Sequence, residues 1–364
     1  MDWWSTSHNW ASGCTKVKVA NAGGDPLEYS ACKHCWVPEF LHTMTLDRGK
    51  FAGAVQQDDS EWSGQVRVLQ DTLDKGDPIG WTQPQWVFVN IMSDTFHTQM
   101  PLVAIHRQLA LSAMLPQHIW MLCTKRERRM HNVLNDEATL RGVRQQIEWW
   151  TQQPRMQRAI RLGRAQVPDQ LIWPLPNLWA GVTLESDQMA HRANRWLSDT
   201  PAVVRFISCE PLITPLPSVQ LDNIDWVVVG GEDLPPEASD YRPMHPDWVR
   251  DMRDRCANQG VAFWFKQWGS QYPVGQGGRE SDQRRFRDPT PGDLDLWISP
   301  TRDIQDHPMP GYAHLRRMHK RAAGNLLDGQ QIFQVPPGWE THPAILAHAA
   351  HHGIQIAAPT LATV

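Results

Sequence analysis

No stretch of the 364-residue chain runs for about 18 residues without a polar break, which excludes a membrane-spanning helix. Neither sign of charge dominates, with 35 Lys and Arg against 39 Asp and Glu, so a nucleic-acid partner has to be met by a local basic patch and not by a global field. The opening MDWWSTSHNWASG has an acid at position 2 and no Lys or Arg before Lys16. It also lacks an apolar run of signal-peptide length, so neither a secretory nor a transit signal is expected, and the cytoplasm is the expected compartment. Cysteine is scarce, at six. Three of the six, Cys14, Cys32 and Cys35, fall within one short N-terminal stretch, while Cys123, Cys209 and Cys256 are scattered through apolar segments and read as packing residues. In a reducing compartment such a cluster reads as a metal or iron–sulfur site and not as a disulfide framework.

What is present is a globular chain. Hydrophobic residues make up 41% and charged residues 20%, with 28 Pro and 24 Gly, which excludes disordered, collagenous and coiled-coil proteins. The length allows two domains or one large α/β barrel with extensions. From residue 86 onward, short apolar runs alternate with helical stretches. The runs are 86–90, 119–123, 178–184, 203–208, 226–229 and 262–265. Each is too short for a helix and too continuously apolar for a half-exposed strand, as expected of a parallel sheet covered on both faces. Helices are expected at 102–115, 126–134, 189–197 and 246–259. The pattern predicts an α/β fold with parallel strands, closed as a barrel or doubly wound, and a partial barrel fits better because polar residues follow almost every run. These are Ser93 and Asp94; Thr124, Lys125 and Arg126; Glu185; Glu210; Gly230, Gly231 and Glu232; Lys266 and Gln267. The barrel is expected to span 1–269, with a polar insertion at 135–170. An extension follows at 270–364, whose last 20 or so residues, including His348, His351 and His352, read as a flexible solvated tail.

The strongest local signal is Cys14-x17-Cys32-x2-Cys35. Two thiolates from one turn and a third from upstream give a three-sulfur face. Spacing leaves two readings open: a structural zinc completed by His34 or His8, and an iron–sulfur cluster with one iron free. Lys125 and Lys266 end neighbouring apolar strands and are candidates to face substrate. The insertion places Arg155, Arg158, Arg161 and Arg164 at every third position, a stripe suited to a phosphate backbone, and Arg316, Arg317, Lys320 and Arg321 form a second basic cluster.

Ten ordered blocks, among them SGCTKV, CKHCW, VFVNIMSDTFH, HIWMLCTKRERRM, LPNLWAGVTLES, RFISCEPL, WVVVGGE and FWFKQWG, resemble a phage and bacterial family of radical S-adenosylmethionine-like proteins, over residues 8 to 330. The resemblance implies a partial barrel of radical-SAM type. It implies a [4Fe-4S] cluster on Cys14, Cys32 and Cys35, with S-adenosylmethionine on the fourth iron. Ser93 and Asp94, at the end of the second barrel strand, would hold the methionyl amino group. Glu185 and Glu210 would take the ribose hydroxyls or the methionyl group, and Gly230 and Gly231, followed by Glu232, would let backbone approach the adenine. The seventeen residues between Cys14 and Cys32 depart from the three-residue gap of the commonest radical enzymes, and Trp36 stands where Tyr is usual. Relatives in phage thymine-hypermodification pathways imply a DNA nucleobase substrate, an isomerase that turns an N-linked glycinylthymine into a C-linked one, host cytoplasm for a phage-encoded chain, and an electron donor such as flavodoxin or ferredoxin. A base within a duplex would have to be flipped out to reach such a site. Two other functions stay open: a zinc-stabilised nucleic-acid-binding protein without catalysis, and a radical enzyme acting on a small molecule or a protein.

Overall fold

A computed structural model describes residues 3–17, 31–43, 49–56, 61–233, 242–276, 295–317 and 323–359. Its strands in chain order are β1 (Thr6–His8), β2 (Ala11–Ser12), β3 (Arg67–Val68), β4 (Trp86–Val89), β5 (Ile119–Thr124), β6 (Leu178–Thr183), β7 (Val204–Cys209), β8 (Trp226–Gly230), β9 (Ala262–Gln267), β10 (Gln271–Pro273), β11 (Asp295–Ile298), β12 (Ile304–Gln305) and β13 (Ala313–Arg317). The helices are α1 (Trp36–Thr43), α2 (Gln70–Lys75), α3 (Leu102–Met114), α4 (Glu127–Asn135), α5 (Glu137–Thr151), α6 (Pro154–Arg161), α7 (Pro246–Gln259) and α8 (Pro343–His352).

Seven strands form one parallel sheet in the order β1-β4-β5-β6-β7-β8-β9. Chain order and spatial order run together without reversal, so the sheet curls into a half-barrel and has no doubly wound switch point. All six expected strands are present, and β1 adds a seventh. β1 carries no signal in the sequence because it is three residues long, Thr-Ser-His, and pairs on one side only.

Alternation along the strands sorts the two faces. Val87, Val89, Trp120, Leu122, Val182, Ile207, Val227, Val229 and Phe263 pack outward under the helices, with Ile105 and Leu109 of α3 and Val249 and Met252 of α7. The concave face holds Trp86, Trp179, Trp226 and Trp264, joined by Trp3 and Phe206. The Trp86 and Trp226 rings stack at 5.4 Å, while Trp179 meets both edge-on at 5.4 Å. Gly181 has no side chain because Phe206 occupies the space: a Cβ there would lie 2.4 Å from its ring.

The C-terminal residues do not form a free tail. Phe265 N donates to Ile332 O at 2.9 Å and Gln334 N to Phe263 O at 3.0 Å, so 332–334 extend the sheet beyond β9. Helix α8 then seats Ala344 and Ile345 against the tryptophan face, and His348 is buried with its ring 5.6 Å from Trp86. His351 and His352 are exposed, as expected of them, and 360–364 lie outside the described residues. α7 and α8 start alike: His245 and His342 accept from Asp247 N and Ala344 N, each before a first-turn Pro. Each also ends on a left-handed Gly, Gly260 and Gly353. The helix expected at 189–197 is a 3₁₀ turn, Asp187–Met189, followed by a π-helical segment, Arg192–Leu197. The extension contains a separate antiparallel sheet in the order β10-β13-β11-β12. Among the described residues no helix is long and apolar enough to cross a membrane.

Candidate functional site

Parallel strands deliver the residues that follow them to one rim, and Ser93, Asp94, Lys125, Glu185, Glu210 and Lys266 all arrive there. Ser93 Oγ donates to Gly13 O at 2.6 Å, next to a short parallel bridge between the two residues. Gly13 has φ of +84°, and a Cβ on it would meet Gln65 O at 1.8 Å, so glycine is required. Asp94 is buried and accepts from Thr124 Oγ1 at 2.7 Å, Phe96 N at 2.8 Å, Lys125 N at 3.4 Å and Arg126 Nη1 at 2.9 Å. Those four donors match a carboxylate's accepting capacity. Arg126 goes on to donate to Cys14 Sγ at 3.7 Å and to Thr15 O at 2.9 Å. Ser93 and Asp94 therefore hold the segment carrying Cys14.

Glu185 plays the same part for Cys32. Its carboxylate accepts Ala31 N at 2.9 Å and Arg192 Nη1 at 2.8 Å, and Arg192 also reaches Thr183 O at 2.6 Å and Glu127 at 3.5 Å. Glu185 and Arg192 are both buried, so each charge is offset by the other. Lys125 lies among Cys32, Cys35, Cys123 and Glu185. Burial pulls its pKa down, but the negative charge of these neighbours outweighs that and raises it. Burial pushes the Cys14 thiol up to about 11 against the opposing pull of Arg126, and it also raises the Cys35 thiol, against which the Val37 N–H acts.

On the inner wall, Glu210 accepts Trp3 Nε1 at 2.6 Å and pairs with Lys266 Nζ at 3.0 Å, and Lys266 lies 5.6 Å over the Trp4 ring. Gly230 leaves room for this carboxylate, since a Cβ there would lie 2.8 Å from Glu210 Oε1, and Gly231 packs on Trp268 O. Glu232 is paired with Arg242. Cys209 and Cys256 are core residues, whereas Cys123 points to the concave side, 3.7 Å from Thr183 Oγ1.

The arginine stripe is not continuous. Arg155 folds back to Lys75 O at 3.0 Å and to Asp77 O at 3.4 Å, α6 ends at Arg161, and the left-handed Gly163 turns the chain before Arg164. Gln117 holds the Arg164 carbonyl at 2.8 Å, before the start of β5 and so at the opposite end of the strand from Lys125. Arg158 and Arg161 are exposed. Arg316 pairs with Asp295 at 3.3 Å, and Lys320 and Arg321 lie outside the described residues, as do residues 18–30 between the first two cysteines.

Among the described residues no three His, Cys, Asp or Glu side chains stand close enough together to hold one metal ion. Cys14 lies by Arg126, and Cys32 and Cys35 by Lys125, so the donor set is three thiols beside two cations, a chemistry that suits an iron–sulfur cluster and a thiolate-bound zinc alike. His8, a possible fourth zinc ligand, is buried on β1 beside Trp120, with burial pulling its pKa down to about 4. Sequence reasoning placed Arg126 among the polar strand ends but gave it no role. It gave no place at all to Arg192, Trp3 or Trp4; the partners of the two tryptophans, Glu210 and Lys266, lie far away in the chain.

Fold and site define an α/β protein built on a parallel half-barrel, with three cysteines and a set of paired charges gathered at the C-terminal strand ends. The chain belongs to the family described as Protein of unknown function (DUF5131), whose model matches residues 1–336. No functionally curated protein and no solved structure matches the sequence.

Proposed function

We propose that this chain is a radical S-adenosylmethionine enzyme with a [4Fe-4S] cluster on Cys14, Cys32 and Cys35. The observation that supports it most is the arrival of all three cysteines of the motif at the C-terminal rim of a parallel half-barrel, beside Lys125 and Arg126. A cluster held by Cys14, Cys32 and Cys35 would supply one-electron reduction of S-adenosylmethionine, and with it radical abstraction of a substrate hydrogen. The chain's own residues position and exclude. Lys125 offsets the negative charge of the thiolates, and the tryptophan layer fills the barrel beneath the rim. Asp94 and Glu185 are buried against Arg126 and Arg192, whereas Glu210 and Lys266, although paired with each other, are partly exposed, so their wall is the polar surface better placed to meet S-adenosylmethionine and substrate. Gly230 and Gly231 border that wall. Flavodoxin or ferredoxin would deliver the electron.

Within this reading the substrate is a modified thymine in DNA, and the reaction is an isomerisation from an N-linked to a C-linked glycinyl group. Arg158 and Arg161 are the exposed arginines of α6 able to meet a phosphate backbone. Arg155 is tied to Lys75 O and Asp77 O and Arg164 lies at the opposite strand end from Lys125, which favours a second substrate reading, a small molecule or a protein. Incubating the reconstituted enzyme with DNA that contains the modified base separates the two: a C-linked nucleoside by mass spectrometry supports the first, and unchanged nucleosides exclude it. Anaerobic purification separates either from a zinc-stabilised binding protein. The radical reading expects brown protein with about four irons per chain, and colourless protein with stoichiometric zinc contradicts it.

A further inference from the structure

Seventeen residues separate Cys14 from Cys32, and closing so long a segment onto one site costs more chain entropy than closing a short one. Something other than spacing has to fix the two ends. Two paired carboxylates, expected from the sequence to touch S-adenosylmethionine, stand at those ends.

At the first, Arg126 Nη1 bridges Asp94 Oδ2 and Cys14 Sγ, while its Nη2 takes Thr15 O at 2.9 Å and Thr15 Oγ1 at 3.1 Å. His97 Nε2 lies 2.9 Å from the same hydroxyl, and Ser93 Oγ holds Gly13 O. At the second, Glu185 Oε1 accepts Ala31 N, one residue before Cys32, while Arg192 holds Oε2. Both anchors belong to the rim of the sheet, on β4–β5 and on β6.

We propose that Arg126 and Glu185 are positioning residues that staple the two ends of the Cys14–Cys32 segment to the sheet, so that the barrel places the cysteines at those ends. The inference rests on the cluster reading for its purpose but not for its geometry. Arg126 contacts four acceptors from one planar group, a task a lysine ammonium shares only in part. Glu185 reaches the described part of the segment through the backbone N–H of Ala31, backed by a buried arginine.

The test measures hydrogen–deuterium exchange in the full chain, without metal, for wild type, Arg126→Gln, Arg126→Lys and Glu185→Gln. Arg126→Gln is expected to speed exchange of Thr15–Val17 at least tenfold while strands β5 to β8 stay protected, and Arg126→Lys to recover part of that protection. Glu185→Gln is expected to loosen Ala31–Cys35 and leave Thr15–Val17 unchanged. Unchanged exchange in both segments, or an equal rise across the whole sheet, overturns the proposal. Iron per chain after anaerobic reconstitution is the second arm. Under the cluster reading, Arg126→Gln and Glu185→Gln both retain less iron than wild type, and Arg126→Lys falls between. If both segments loosen but the variants match wild-type iron, the staples do not place the cysteines, and the proposal fails while the cluster reading stands. If wild type takes up no iron, the cluster reading fails, and the exchange arm alone decides whether Arg126 and Glu185 fix the segment.

Discussion

Lys266 Nζ stands 3.0 Å from Glu210 Oε1 on the inner wall of the half-barrel, and the second Glu210 oxygen takes the indole N–H of Trp3. Two residues expected to act separately, one on substrate and one on cofactor, are therefore a pair. Glu210→Gln keeps an acceptor for Trp3 but removes the anion opposite Lys266. It is expected to cost about 1–2 kcal/mol in urea denaturation, the range of a charged hydrogen bond with partial exposure. A loss below about 0.3 kcal/mol would mean that water already screens the pair.

The six cysteines are expected to separate under native alkylation with iodoacetamide. Cys209 and Cys256 are buried, and burial raises both thiols, that of Cys256 to about 12, so they should stay unmodified until the chain unfolds. Cys14, Cys32, Cys35 and Cys123 are each partly exposed and should be labelled ahead of those two in the metal-free protein. Peptide mass spectrometry reads the order, and early labelling of Cys209 would contradict the core assignment.

Helix α8 closes the tryptophan face, so its removal should expose the rings of Trp86 and Trp264. Ile345→Ala is expected to cost about 3 kcal/mol, the usual loss for a fully buried aliphatic side chain. Truncation before Pro343 is expected to give dye-binding, aggregation-prone protein, and an unchanged melting temperature would show that the helix contributes little to the core.

Stability should fall in mild acid. Burial pulls His8 and His118 from 6.5 to about 4, and His118 Nδ1 accepts from Gln85 N, which requires the neutral ring. The unfolded chain takes up these protons as pH drops through 6.5, whereas the folded chain resists until about 4. Stability from this source is thus complete above neutrality and is lost progressively between those values. His118→Asn, which keeps an acceptor for Gln85, should flatten the dependence of the urea midpoint between pH 7 and about 5 by the contribution of one proton. An unaltered slope would contradict the assignment.

Much of the architecture was legible because buried parallel strands are continuous apolar runs: Trp86–Val89 and Trp226–Gly230 stand out in any window. β1 did not, since three residues paired on one side need no apolar run. The C-terminal helix is hard to read in the sequence because Ala and His give α8 a weak periodic signal, while its burial comes from Trp86 and Trp264, more than 80 residues away. In the site, the cysteines and strand-end carboxylates were visible as residue types. Their partners were not, because Arg126 meets Cys14 across 112 residues and Lys266 meets Glu210 only where the sheet curls. A carboxylate at a strand end looks the same in sequence whether it faces a ligand or a buried arginine.

The most direct measurement is S-adenosylmethionine cleavage by anaerobically reconstituted, dithionite-reduced protein, read as 5′-deoxyadenosine by mass spectrometry, in wild type and in Cys14→Ala, Cys32→Ala and Cys35→Ala. The expected result is 5′-deoxyadenosine from wild type and at least a hundredfold less from each variant. Wild-type protein that carries iron and sulfide but forms no 5′-deoxyadenosine, or variants that form as much as wild type, would contradict a radical enzyme built on these three cysteines.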